Sequence, residues 1–293
     1  MIRTLLAVGA ASIAWNTHGL AQTVAAEDTV HVIRQSSLGN PRLSESSGLA
    51  ASRVTPGLMW TLNDSGNPPE LFAIDSAGGN RAVLRVEGAR NRDWEALAIA
   101  RCGRSDCIYI GEVGDNNRDE DTLRIYRVAE PTRPTSASGT VRLNGVITFR
   151  YEDGPRDAEA ILVTRNQDVY VISKERSGGG RVYLLNRSAW DQRGLTVARF
   201  IQELPLPQGS RFQITDASIA QDGIRVVIRT YGYIFFFRLE NGTLRLDDHR
   251  PGCYAAGLDI QGEGITWLGD GRLVTTSERR TGLGGTVSIV ECR

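Results

Sequence analysis

One short phrase recurs five times along this chain and limits its fold more than any other feature. It consists of a polar residue, then Ser or Glu, then a small residue and aliphatics. The copies are Glu45-Ser-Ser47-Gly-Leu-Ala, Asp93-Trp-Glu95-Ala-Leu-Ala, Asp157-Ala-Glu159-Ala-Ile-Leu, Asp216-Ala-Ser218-Ile-Ala and Gly262-Glu263-Gly-Ile-Thr. Ser47, Glu95, Glu159, Ser218 and Glu263 follow one another at spacings of 48, 64, 59 and 45 residues. Self-similarity at such a period marks a repeat architecture, in which each unit buries its apolar face against the next.

The units read as β-structure. Helical periodicity is missing almost throughout, and short alternating segments are separated by Gly, Asn, Asp and Pro. Examples are Leu58–Leu62, Cys107–Gly111, Leu123–Val128, Val169–Ser173, Val182–Asn186, Ile224–Arg229 and Val287–Val290. Each phrase precedes a turn and a second, strongly apolar strand. A four-stranded propeller blade takes about 40–50 residues plus insertions. The expected fold is therefore an all-β, five-bladed β-propeller of four-stranded antiparallel blades. After the fifth phrase only two more strands fit, near Arg272–Thr276 and Thr286–Glu291. Thr29–Arg34 supplies the missing outer strand, which closes the ring and leaves no free sheet edge. A stack of unrelated β-sandwich strands is the alternative.

The first 21 residues read as an export signal. Arg3 is followed by the apolar run Leu5 to Trp15, and Gly19-Leu20-Ala21 offers small residues before Gln22. Asn16, Thr17 and His18 interrupt the run well short of the roughly 20 apolar residues of a membrane span. Residues 22–293 are expected to form one domain in the periplasm or the extracellular medium. Four cysteines in an exported chain suggest two disulfides. Cys102 and Cys107 flank Gly-Arg-Ser-Asp, a spacing suited to stapling a hairpin, which leaves Cys253 to pair with Cys292.

Formal net charge is zero, so no overall field draws the chain to nucleic acid or an anionic membrane. Beyond the signal only His31 and His249 remain. That argues against a histidine zinc site. With no G-x-S-x-G elbow, it also argues against a Ser-His-Asp triad.

In a propeller the innermost strand of each blade lines the channel, and the phrase opens that strand. Ser47, Glu95, Glu159, Ser218 and Glu263 then converge on the axis. Three carboxylates without compensation repel one another, and a hard cation relieves this. Calcium accepts about 6–8 oxygen ligands. Magnesium fits a five-fold ring poorly, and zinc prefers nitrogen or sulfur. The plainer alternative is that the carboxylates cap strand amides or pair with arginines. The order Ser, Glu, Glu, Ser, Glu, with Trp94-Glu95-Ala-Leu-Ala and Gly262-Glu263-Gly-Ile, resembles the calcium-activated nucleotidases, or soluble apyrases. The resemblance covers the blade plan and these phrases. It implies a five-bladed propeller with one calcium in its central tunnel.

The ends of the second strands should emerge on the face where the first strands enter. They supply Asp64, Asp115, Lys174, Arg229 and Glu278 as candidate catalytic groups. Asn116, Arg176, Tyr231 and Arg279 are candidate substrate contacts. Asn-Asp-Ser-Gly and Gly-Asp-Asn are also ordinary turn sequences. Among 34 Lys and Arg residues Lys174 is the single lysine, which marks a place for a compact, titratable point charge. Such a face suits a small anionic substrate, a phosphate ester or anhydride such as a nucleotide. Tyr231 and Trp94 are available to stack on a base or sugar, or to pack in core or rim. Ser177-Gly-Gly-Gly180 lacks the ending of a P-loop and reads as a hairpin turn. The expected function is a secreted, calcium-dependent phosphohydrolase. The alternatives are a non-catalytic calcium-stabilised propeller binding glycan, peptide or protein, and a calcium-dependent esterase or lactonase.

Overall fold

The turn-separated apolar segments form strands in the computed structural model, which describes residues 28–132, 134, 138–250, 252–259, 261–280 and 285–293. The export signal expected over residues 1–21 lies outside the described residues. Strand β1 (Val30–Ser37) comes first and is used last. The next four, β2 (Ser46–Ala51), β3 (Leu58–Asn63), β4 (Glu70–Asp75) and β5 (Asn80–Glu87), pair antiparallel in chain order. So do β6 (Trp94–Cys102), β7 (Ser105–Glu112), β8 (Leu123–Ala129) and β9 (Gly139–Tyr151). A third meander comprises β10 (Ala158–Val163), β11 (Val169–Ser173), β12 (Arg181–Leu185) and β13 (Leu195–Glu203).

In the fourth, β14 (Ile214–Ile219), β15 (Arg225–Thr230), β16 (Tyr233–Glu240) and β17 (Thr243–Leu246) pair in order, and β18 (Gly252–Tyr254) also pairs with β16. The last contains β19 (Gly262–Trp267), β20 (Leu273–Ser277) and β21 (Thr286–Cys292). Strand β1 completes it by pairing antiparallel with β21, Val30 opposite Cys292 and Ser37 opposite Thr286. The N-terminal strand thus closes the C-terminal sheet.

The opening strands β2, β6, β10, β14 and β19 neighbour one another in that order, and β19 lies back against β2. This explains two kinds of strand sequence. β3, β10, β11 and β19 are buried on both faces, and apart from a few polar members such as Glu159 and Glu263 they carry apolar or small residues without alternation. Outer β9 and β13 alternate buried and exposed positions. Apolar clusters fill the spaces between successive sheets. Trp60 shares a cluster with Ile110, Tyr109 with Tyr183, Ile172 with Phe235, Ile234 with Trp267, and Val274 with Phe72.

The outer edges are stitched as well. β9 pairs parallel with β5 at Gly139–Arg142 and with β13 at Thr148–Tyr151. The Gln202 side chain exchanges hydrogen bonds of 2.9 and 2.8 Å with the Leu244 backbone. Both expected disulfides are formed. Cys102–Cys107 closes the β6–β7 hairpin, and Cys253–Cys292 links β18 to the final strand. A bridge across that sequence separation of 39 residues stabilises by about 3–4 kcal/mol in the chain-entropy account. No helix among the described residues is long and apolar enough to cross a membrane.

Candidate metal centre at the channel mouth

Each opening strand begins with an irregularity. Its register shifts between Ser46 and Leu49, Trp94 and Ala96, Ala158 and Ala160, Ile214 and Asp216, and Gly262 and Ile265. A bulge leaves a residue unpaired in the ladder and re-aims its side chain. The residues released in this way include Ser47, Glu95, Glu159, Thr215 and Glu263. Four of the five expected ring residues therefore share one level of the fold.

Ser218 does not. It lies three residues beyond Thr215, where its hydroxyl is 3.4 Å from Thr266 Oγ1. There it lines a cavity of about 40 Å³ at the far ends of the opening strands, with Ala50, Leu97, Ile161 and Trp267. The displacement comes from Asp216. After the bulge the other strands carry Gly48, Ala96, Ala160 and Gly264, whereas β14 carries a carboxylate. That side chain fills the axis left by the small residues. Its Oδ2 accepts from the Leu49 and Ile265 amides at 3.1 and 2.8 Å, and its Oδ1 from the Ala217 amide at 2.8 Å.

Above this plug the carboxylates gather. Oxygen atoms of Asp64, Asp93 and Glu95 lie within 4.8 Å of one another. Local chain geometry brings them there. The Asn91 amide donates to the carbonyls of Asn63 and Asp64 at 3.0 and 2.8 Å, while its oxygen accepts from the Trp94 amide at 3.0 Å. The end of β3 is thereby tied to the start of β6. Gly114 is also required, because a Cβ there would lie 2.4 Å from the Asp93 carboxyl carbon. Ser47 Oγ stands 2.8 Å from both the Glu95 carbonyl and Glu95 Oε2.

Glu159, in turn, is paired. Lys174 Nζ lies 2.7 Å from its Oε1 and 3.2 Å from the Tyr231 hydroxyl, over whose ring it stands at 5.3 Å. Burial pushes the Asp93 carboxyl up to about 7, and the Asp64 charge adds to it. Glu95 is raised well above its usual range by burial, then by Glu159, Asp64 and Asp93. Burial also lifts Glu159 to about 7, against the pull of Lys174. Glu263 is raised by burial and by Glu159, and Glu278 by burial, Asp64 and Glu45. Burial works to lower the Lys174 ammonium, but Glu159 and Tyr231 outweigh it and raise it. Tyr231 is pushed up to about 12 by burial and then by Glu263. The mouth is thus a group of like charges with the Lys174 ammonium built in among them.

Several expected participants have other duties. Arg229 is 3% exposed and pairs with Asp259 at 2.7 Å. Its Nη1 donates to the carbonyls of Gly264 and Thr276 at 3.0 and 2.9 Å. It clamps β15 to the last sheet, and Gly262 leaves room for it. Asp115 accepts from the Asp119 and Glu120 amides at 3.0 and 3.1 Å, the ordinary work of a turn aspartate. Arg176 donates to the Asn116 carbonyl at 2.7 Å, which joins two rim loops. The Arg279 amide donates to the Ser44 carbonyl at 2.7 Å. Trp94 is fully buried between sheets, so it packs in the core and is closed to a ligand. Asp64, Lys174, Tyr231 and Glu278 remain at the mouth. Asp93 was not among the expected ligands, although Asp93-Trp-Glu95 carried the signal. Asp93 precedes β6, and the bulge at Glu95 turns that side chain toward it.

No protein-family model matches the chain, and no curated protein matches it. The resemblance to calcium-activated nucleotidases accordingly rests on the short phrases alone. Solved structures do match. The PQQ-bound aldose sugar dehydrogenase of Streptomyces coelicolor aligns with a TM-score of 0.54 at 11% identity, over 92% of this chain and 99% of its own. The major Malassezia sympodialis allergen Mala s 1 aligns with a TM-score of 0.53 at 9% identity, over 88% and 96%. The chain has the β-propeller fold. At such identities the likeness concerns fold alone, and function must come from the site.

Proposed function

We propose that the protein is an exported five-bladed propeller that binds a hard divalent cation, calcium in the first place, at the mouth of its channel. The blade count is supported by the meanders described above and the cyclic contact of their opening strands. Two disulfides support an oxidising destination. The convergence of Asp64, Asp93 and Glu95 carries the cation reading. The donor set offers oxygen only, without histidine or thiolate, and so fits calcium better than zinc. Like charges are held together in a partly dry place, which a cation relieves. Ser47 orients Glu95. Glu159 and Glu263 lie beside the centre, with Glu159 paired to Lys174.

The activity such a mouth would support is hydrolysis of a phosphate ester or anhydride. The bound cation would offset substrate charge and make water more acidic. Lys174 would add a fixed positive charge, and Glu278, with its raised carboxyl, would accept a proton from water. Arg229 takes no part. The pairing of Lys174 with Glu159 favours a second reading, a calcium-stabilised binding propeller without turnover.

Calorimetric titration with calcium chloride tests the cation reading. One ion per chain is expected, with loss of binding in Asp93→Asn and Glu95→Gln. A purified chain that takes up no calcium would remove the proposal. Phosphate release from nucleotides and sugar phosphates, with and without chelator, separates the two readings. If no phosphate appears from any of them, the binding propeller stands.

A further inference from the structure

The only lysine of the chain stands among the carboxylates of the mouth. Its ammonium lies 2.7 Å from Glu159 Oε1 and 3.2 Å from the Tyr231 hydroxyl. Its stem starts from a fixed point. The Lys174 amide donates to the Asp157 carbonyl at 2.9 Å, and neighbouring Glu175 is held by Arg118 at 2.8 Å and by the Ser173 hydroxyl at 2.9 Å. Glu263, only 4% exposed, faces Glu159, Glu278 and the same ammonium. Among the described residues no lysine or arginine is ion-paired to Glu263, so its charge is eased only by Gln261 and by the more distant Lys174 ammonium. The Glu159 charge is the largest influence on Glu95 after burial, so the two halves of the mouth act on each other.

A chain that uses arginine everywhere else places lysine here. Guanidinium is a broad plate with donors in a fixed fork, whereas ammonium is a compact point charge. Only the second resembles a metal ion in size and in the freedom of its contacts. We propose that Lys174 is a tethered cation. Its ammonium occupies the Glu159–Glu263 side of the mouth in place of a second metal ion, so the mouth takes one divalent cation, at Asp64, Asp93 and Glu95. This rests on the cation-binding reading and deepens it, because it fixes how many ions the site accepts and which carboxylates take them. The neutral Lys174→Met side chain would keep the length of the stem and leave Glu159 as unpaired as Glu263, and the two buried carboxylates would then recruit an ion as calcium sites do.

The experiment is calcium titration of the purified full chain. The parent protein should bind one ion and Lys174→Met two. Glu95→Gln combined with Lys174→Met should return to one. Binding of a single ion by Lys174→Met overturns the proposal. A parent chain that binds none removes instead the cation reading beneath it. If Lys174→Met folds poorly without calcium, thermal unfolding decides. Saturating calcium should raise the midpoint of Lys174→Met more than that of the parent, and an equal or smaller rise overturns the proposal. Lys174→Arg keeps the charge and loses the shape. It should bind one ion, and roughly tenfold more weakly, because a guanidinium displaced from Glu159 crowds the remaining site.

Discussion

Asp216 and Glu95 are both buried carboxylates of opening strands, one on the channel axis and one above it, and they differ in what surrounds them. Asp216 accepts three backbone amides. Glu95 accepts the Ser47 hydroxyl and otherwise faces Glu159, Asp64 and Asp93. Burial raises both above the usual carboxylate range. In Asp216 the next influences are backbone dipoles, which oppose burial, whereas in Glu95 they are negative charges, which reinforce it. Burial of an acid is therefore not the sign of a ligand site. The sign is a buried acid whose neighbours make matters worse, since only something absent from the chain can then stabilise it.

The largest expected effect tests the structural member of the pair. Asp216→Ala leaves the Leu49 and Ile265 amides without acceptors in the middle of the fold. A loss of about 3–5 kcal/mol in denaturant unfolding is expected, from broken charged hydrogen bonds and stranded buried donors. A loss below about 1 kcal/mol would mean that the axis is not sealed by this side chain. Glu95→Gln should behave in the opposite way. In chelator it removes like-charge repulsion and leaves stability unchanged or slightly higher, yet it abolishes the stabilisation by calcium. Equal destabilisation by both variants would erase the distinction.

The sequence displays one of these residues better than the other. The strands, the closure by the N-terminal strand and both disulfides were legible because they depend on apolar alternation, chain length and cysteine spacing. Ser47, Glu95, Glu159 and Glu263 were legible because each precedes a small residue in the same local phrase. Thr215 was not, because Asp216 stands where the other copies have glycine or alanine and draws the alignment three residues along, to Ser218. Arg229 read as a candidate catalytic cation because nothing local shows that Asp259, 30 residues away, pairs with it. Long-range pairing of this kind leaves no periodic trace. Asp93 was visible as part of a phrase and became a candidate ligand only when the loop holding Asp64 was placed beside it.

An intermediate effect concerns pH. The carboxyls of Asp93 and Glu159 rise to about 7 from ordinary values of 3.8 and 4.5. Between those limits the native chain holds protons that the unfolded chain has released, so stability in chelator should increase as pH falls from about 7 toward 5. Asp75 and Asp153 are held below 3.8 and lose their contribution only at lower pH, so they do not cancel the gain in this window. Asp93→Asn should make the slope shallower, and Asp75→Asn, whose carboxyl is held below its ordinary value, should leave it in place. Unfolding midpoints in chelator that are flat or climb from pH 5 to 7 would contradict the like-charge account of the mouth.

The smallest effect is the most discriminating. Ser47 and Thr215 occupy equivalent bulges, and each hydroxyl reaches the carbonyl of the next carboxylate-bearing strand, Glu95 at 2.8 Å and Glu263 at 3.0 Å. Ser47→Ala and Thr215→Val should each cost about 1 kcal/mol, the ordinary net worth of a neutral hydrogen bond. Their effects on calcium should separate. Ser47 also lies 2.8 Å from the Glu95 carboxylate, so its loss lets that side chain wander and weakens binding by several-fold. Thr215 touches only a backbone carbonyl on the Lys174 side of the ring, and calcium affinity in Thr215→Val should match the parent. Equal weakening by both would mean that the hydroxyls ring a central ion. The cation would then lie on the channel axis, and the off-axis site at Asp64, Asp93 and Glu95 would have to be given up.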